Sequence, residues 1–232
     1  GAREVVSRAV EGPIVRTTYA ELRQRALKVA QRLDRDGYGI GAPIATLAWN
    51  TARHIEAWYG IMGAGAVYHT LNPRLFPEQI AWIMNDAGDE LLFVDLTFVP
   101  LAEKIAPLVP SLKRAIVLTD AAHMPQTSLP GALAYEEWLA GADGDFAWRL
   151  LDENAAAGMC YTSGTTGNPK GVVYSHRSNV LHAMIAALPD SMGISSRSVI
   201  MPVVPMFHAN AWGLAQSAPM IGAKLVMPGP RM

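Results

Sequence analysis

Tyr161-Thr162-Ser163-Gly164-Thr165-Thr166-Gly167-Asn168-Pro169-Lys170-Gly171 gathers four hydroxyl side chains, three glycines and one lysine between Thr162 and Gly171. Glycine has no Cβ, so its backbone turns tightly and can lie close to a ligand. Backbone N–H groups, hydroxyls and an ammonium on one turn suit an anion rich in oxygens, above all a polyphosphate. The stretch is not a Walker A loop: its lysine follows Pro169, and Gly171 stands where Ser or Thr would be required. Its flanks differ as well. Ala155 to Tyr161 leads in as a small, apolar, strand-like run, and Val172-Val173-Tyr174 leaves as a β-branched and aromatic one. Ser175 suits an N-cap ahead of a helix from His176 to Ala187. The prediction is strand, loop, strand, helix, with no helix N-terminus facing the phosphates. Composition alone also allows a polar surface turn; the order of hydroxyls, glycines and lysine argues against it.

Upstream, strands and helices alternate. Thr18-Tyr19-Ala20-Glu21 reads as a capping box opening a helix to about Arg35, with Leu22, Ala26, Val29, Ala30 and Leu33 on one face and Gly37 beyond its end. Pro43 to Ala48, Ala66 to His69, Leu91 to Val94 and Ala115 to Leu118 read as strands. Ala52 to Ala64, Pro77 to Ala87 and a stretch through Leu101 to Leu108 read as helices. Apolar strands alternating with helices predict an α/β fold, with parallel sheets flanked by helices. Residues 1–120 form the first expected α/β subdomain. Residues 121–154, interrupted by Pro125, Pro130, Gly131, Gly141 and Gly144, form a connection with a short helix at Tyr135 to Ala140. Residues 155–232 form the second, with the loop, strands at Val199 to Val204 and Lys224 to Met227, and an incomplete end.

Thr162 to Gly171 resembles the signature loop of the adenylate-forming enzymes: acyl-CoA synthetases, luciferases and the adenylation domains of peptide synthetases. Pro205-Met206-Phe207-His208-Ala209-Asn210-Ala211-Trp212 is similar to a second motif of that family, in the form found in medium- and long-chain fatty-acid–CoA ligases. His69-Thr70-Leu71-Asn72-Pro73-Arg74 and Leu92-Phe93-Val94-Asp95 fit the same family, so the likeness runs from about Val5 to Met232. It implies activation of a fatty acid with ATP, then thioester formation with CoA. Thr162, Ser163, Gly164, Thr165, Thr166, Gly167 and Lys170 would bind ATP, with Lys170 catalytic and Thr162 beside Mg²⁺. His208 would border the carboxylate as a second catalytic residue, Ala209 would lie against the adenylate, and Trp212 would gate the acyl tunnel. Without the motif, His208 and Trp212 would each read as core residues.

The resemblance also implies later segments absent here, since neither Tyr-Gly-x-Thr-Glu nor Thr-Gly-Asp occurs. The chain is therefore expected to be the N-terminal part of a larger ligase, inactive alone. Two alternatives stay open: another adenylate-forming enzyme (an aryl-acid ligase or amino-acid adenylation domain), and a non-catalytic nucleotide-binding module.

Bulk properties narrow the partners. Half of the 232 residues are hydrophobic, 17% are charged and the net charge is −1. Without a basic run, nucleic acid is not expected as a partner. Ser198 to Ala223 carries no Asp, Glu, Lys or Arg, but Pro202, Pro205 and Pro219 break a membrane helix there, so no transmembrane segment is expected. Similar ligases leave room for a homodimer and for peripheral membrane contact. Cys160 alone excludes an internal disulfide and fits a cytoplasmic protein. It reads as a small buried hydrophobe. His54, His69, His123, His176 and His182 lack the spacing of a metal set, and no metal is assigned to them.

Overall fold

A computed structural model describes residues 1–162 and 168–231. Strands β1 (Glu4–Arg8) and β2 (Ile14–Thr18) form a hairpin that feeds helix α1 (Tyr19–Arg35). The capping box is present: the Thr18 hydroxyl accepts from Glu21 N–H, and the Glu21 carboxylate accepts from Thr18 N–H. Then follow β3 (Pro43–Leu47), α2 (Ala52–Gly63), β4 (Val67–Thr70), α3 (Pro77–Ala87), β5 (Leu91–Val94), α4 (Val99–Ile105) and β6 (Arg114–Val117). Single turns of 3-10 helix flank α4, so the predicted helix is fragmented. Pro100 and Pro107 each remove a backbone donor there.

Strand β7 (Leu133–Ala134) and helix α5 (Tyr135–Ala140) lead on to β8 (Ala156–Thr162), β9 (Lys170–Ser175) and α6 (His176–Ala187). The chain closes with β10 (Val199–Ile200), α7 (Leu214–Ile221) and β11 (Lys224–Met227). The strand predicted at Val199 to Val204 stops at Ile200. Beyond it Pro202 lacks an N–H for the ladder, and the Pro202 and Val204 carbonyls accept instead from the buried Asn50 amide at 2.9 and 3.0 Å. Pro219, expected to break helices, is accommodated in the last turn of α7.

Seven strands form one sheet in the order β7-β6-β5-β3-β4-β8-β9, parallel throughout except for β9. Both faces are covered, as parallel sheets require. Ile44, Tyr68, Phe93 and Ile116 pack on the side of α1 and α2. Their neighbours Ala45, Leu47, Leu92, Val94, Ala115 and Val117 pack on the side of α3 and α4. The period of two along each strand therefore separates two cores. A second sheet has the order β10-β11-β1-β2, with β1 parallel to β11 and antiparallel to β2. The sheets do not divide at residue 155. Strands β8 and β9 complete the sheet of the first 120 residues, and the N-terminal hairpin joins the C-terminal strands.

Candidate functional site

The hydroxyl–glycine stretch connects β8 to β9. Thr162 and Lys170 are the last paired residues of that antiparallel ladder, opposite one another and both exposed. Both ends of the stretch therefore open at the carboxyl edge of the parallel sheet, where α/β folds hold ligands. Ser163, Gly164, Thr165, Thr166 and Gly167, expected to contact phosphates, lie outside the described residues. Ser175 caps α6 as predicted, its side chain accepting from Ser178 N–H. That helix begins at the far end of β9, away from the turn, so its N-terminus does not face it.

The strand that feeds the turn is braced from α3. The Tyr161 hydroxyl donates to Asp86 at 2.7 Å, and its ring lies 5.3 Å from that of His69. His69 Nδ1 is 2.7 Å from Asp89 Oδ2, with both side chains fully buried. Burial holds the Asp89 carboxyl above its ordinary range, against the pull of His69. Sequence reading gave Tyr161, Asp86 and Asp89 no role; the two carboxylates on either side of the Gly88 cap of α3 were the available signal. Next to the turn, Cys160 is 5% exposed and burial raises its thiol pKa, so it is the packed small residue expected.

The second motif approaches the same edge. Asn50, fully buried, anchors the segment before it: its Oδ1 accepts from Met206 N–H at 2.7 Å. Phe207 is buried against Trp49, with the Arg74 guanidinium 5.8 Å from its ring centre. The chain then makes a left-handed turn in which Ala209, Asn210, Ala211 and Trp212 have φ of 44°, 50°, 50° and 54°. Non-glycine residues in this region cost of order 1–3 kcal/mol each, and such strain gathers at functional sites. Gly213 extends the turn at φ 69°, and a Cβ there would meet His182 Nδ1 at 2.5 Å.

Burial sorts this turn into two sets. His208, Ala209 and Trp212, the three residues expected to face ligands, are exposed; Asn210 and Ala211 are buried. At 55% exposure Trp212 is not a core aromatic. Asn210 ties the turn to β4: its Nδ2 donates to the Tyr68 hydroxyl at 3.2 Å, and its Oδ1 accepts from Thr70 Oγ1 at 3.4 Å. Thr70 in turn pairs with Cys160 on β8, two residues before Thr162. The two motifs, forty residues apart in sequence, thus share neighbouring strands at one sheet edge.

Away from this edge, Glu11, Asp120 and His123 each bring one ligand-type atom within 4.8 Å of the others. Sequence spacing had not suggested that grouping. Glu11 there already accepts from Arg53 at 2.6 Å and from Thr119 at 2.7 Å. Among the described residues no helix is long and apolar enough to cross a membrane.

Known proteins share both the sequence and the fold. The sequence is 47% identical over 232 residues to a medium-chain-fatty-acid–CoA ligase of Ectopseudomonas oleovorans, covering all of this chain and 42% of that protein. It is 48% identical to a long-chain-fatty-acid–CoA ligase of Thermus thermophilus, again over the whole chain and 41% of the relative. The fold superposes on the crystal structure of a long-chain-fatty-acid–CoA ligase from Archaeoglobus fulgidus with a TM-score of 0.83, over 99% of this chain and 44% of that one, at 21% identity. The chain thus spans about two fifths of the length of the relatives it matches. Residues 2–232 match the family of AMP-binding enzymes, and this chain belongs to that family.

Proposed function

We propose that this chain is the N-terminal part of an AMP-forming fatty-acid–CoA ligase, and that it holds the triphosphate of ATP and one wall of the acyl site. The observation that carries the reading is the Thr162–Gly171 motif, whose ends Thr162 and Lys170 pair on β8 and β9 beside the turn that exposes His208, Ala209 and Trp212. A fatty carboxylate oxygen attacks the α-phosphorus of ATP, the bond to the bridging oxygen breaks, and pyrophosphate leaves. The CoA thiolate then attacks the acyl carbonyl, forming the thioester and releasing AMP. Two anions meet in the first step, so the site must neutralise charge on the departing pyrophosphate. Lys170 and the hydroxyls and N–H groups of the turn do that by position and charge, without a covalent intermediate on the enzyme.

His208, exposed at the start of the left-handed turn, borders the carboxylate, and Ala209 lies against the adenylate. Trp212 stands over the acyl entrance, where each buried CH₂ of a tail contributes about 0.8 kcal/mol. The exposed Thr162 hydroxyl, facing Lys170, is an oxygen donor of the kind Mg²⁺ takes alongside phosphates and water. Bound there, the ion would neutralise further phosphate charge. A cytoplasmic location belongs to the same reading, in keeping with a free Cys160.

The test is fatty-acid-dependent ATP–pyrophosphate exchange by the complete ligase, with and without Lys170→Ala. Exchange should fall on the order of 100-fold with the fold intact. Unchanged exchange would remove Lys170 from the site, and no exchange with any fatty acid by the unmutated enzyme would remove the reading itself.

A further inference from the structure

The left-handed turn is strained, yet it carries the two exposed side chains assigned to the acyl site, so something must hold it. The buried anchor is the Tyr68 hydroxyl. The Tyr68 ring is fully buried and stacked on Trp58, with centroids 4.2 Å apart and planes 9° from parallel. Gly158 on β8 also crowds the ring: a Cβ there would fall 2.0 Å from it. The ring therefore cannot swing, and its hydroxyl is a fixed point. Asn210 Nδ2 donates to it at 3.2 Å and Asn179 Nδ2, from α6, at 3.4 Å. Asn is also the non-glycine residue that best tolerates the left-handed region. Three elements, β4, α6 and the turn, thus meet at one oxygen.

We propose that Tyr68 and Asn210 are positioning residues whose hydrogen bond latches the left-handed turn and so sets the stance of Trp212, making them determinants of acyl-chain preference. This deepens the reading of the acyl site and rests on it. Freed of the latch, the turn relaxes toward ordinary φ, Trp212 no longer stands at one height, and discrimination between long and short tails weakens. The turn that binds phosphate hangs on β8 and β9, so ATP binding is spared.

The experiment is a double-mutant cycle in the complete ligase, reading kcat/KM for hexanoate, decanoate and hexadecanoate together with KM for ATP. Tyr68→Phe keeps the stacked ring and removes only the hydroxyl. Asn210→Ala places alanine in a conformation that Ala209 and Ala211 already adopt. Each should compress the ratio between the best and the worst acid by roughly fivefold, the worth of one buried hydrogen bond, with KM for ATP unchanged. The double variant should do no more than either single one. Should Asn210→Ala not fold, Asn210→Asp serves instead: its carboxylate accepts from Tyr68, so it keeps the profile, and loses it once Tyr68 is Phe.

Equal losses for all three acids would mean that the pair only stabilises the fold, and would overturn the inference. Multiplying effects in the double variant would overturn it as well. An unmutated enzyme that exchanges pyrophosphate with no fatty acid would remove the acyl-site reading underneath, an outcome distinct from either.

Discussion

Helices α2 and α6 have the same length, 12 residues, and opposite fates. Helix α2 buries eight residues, from Ala52 to Ile61, between α1 and the large sheet. Gly60 makes that possible, since a Cβ there would meet Val29 at 2.4 Å. Helix α6 buries only Ala183 and Ala186, and leaves Val180, Leu181, Met184 and Ile185 between 44% and 57% exposed. Val172 and Val173 on the neighbouring β9 are exposed too. Isolated apolar surface residues are ordinary, but four of them at i, i+1, i+4 and i+5 on one side of α6 point to a contact surface. The first region is a finished core. Under the proposal, the second is the face that the rest of the ligase covers.

Substitutions at five positions press on that contrast, in decreasing order of effect on the stability of this chain. Trp58→Ala removes the largest buried side chain of α2, with the stack on Tyr68, and should cost about 3–5 kcal/mol in urea unfolding. A loss under 1 kcal/mol would deny that α2 is core. Arg25→Ala comes next. Arg25 Nε lies 2.9 Å from Glu56 on α2, and the Tyr135 hydroxyl donates to the same carboxylate at 2.9 Å. Burial already pushes the Glu56 carboxyl up, and losing its cation should cost roughly 2–4 kcal/mol, discounted because the arginine is one-third exposed. Arg25→Lys should recover part of that loss.

A pH series separates the two helices next. His54 on α2 is held by the Trp49 carbonyl at 2.9 Å and by Thr46 Oγ1 at 3.0 Å, and burial pushes its pKa down to about 4. Its neutral form is the folded one, so its stability contribution is complete above pH 6.5 and is lost as pH falls toward 4. Asp95, buried and raised to about 7, acts in the opposite sense: its contribution is complete below about pH 4 and is lost as pH rises to 7. The comparison must therefore be His54→Gln against wild type. The gap between them should shrink as pH falls from 6.5 to 4; a constant gap would refute the assignment. His176 on α6 is lowered by burial too, but it is only half-buried, and His176→Gln should change the slope less. Smallest of all, Ile185→Ala should stay within about 0.5 kcal/mol in this chain alone. In the complete ligase it should cost more, because the same side chain is then covered.

Legibility in the sequence follows the same division. Helices α3, α5 and α6 and strands β5 and β11 begin and end where caps, Pro77, Gly88 and β-branched runs place them, because those signals are local. The β1–β2 hairpin was missed. Its hydrophobic partner is β11, some 220 residues away, where Val5 pairs with Leu225, and no local pattern announces that pairing. For the same reason the division at residue 155 does not follow the sheets. In the site, the loop was readable because its hydroxyls, glycines and lysine are contiguous. The left-handed turn was not, since Ala209 to Trp212 contain no glycine to signal positive φ. The buried roles of Tyr68 and Asn210 emerge only when β4 and the turn are side by side.

Under the proposal, the segment from Thr162 to Gly171 grips the phosphates of ATP during adenylation of a fatty acid. A crystal structure of the complete ligase with a non-hydrolysable ATP analogue tests it most directly. The β- and γ-phosphates are expected within hydrogen-bond distance of the segment joining β8 and β9, with the Lys170 ammonium beside them. Phosphates bound elsewhere, with that segment untouched, would contradict it.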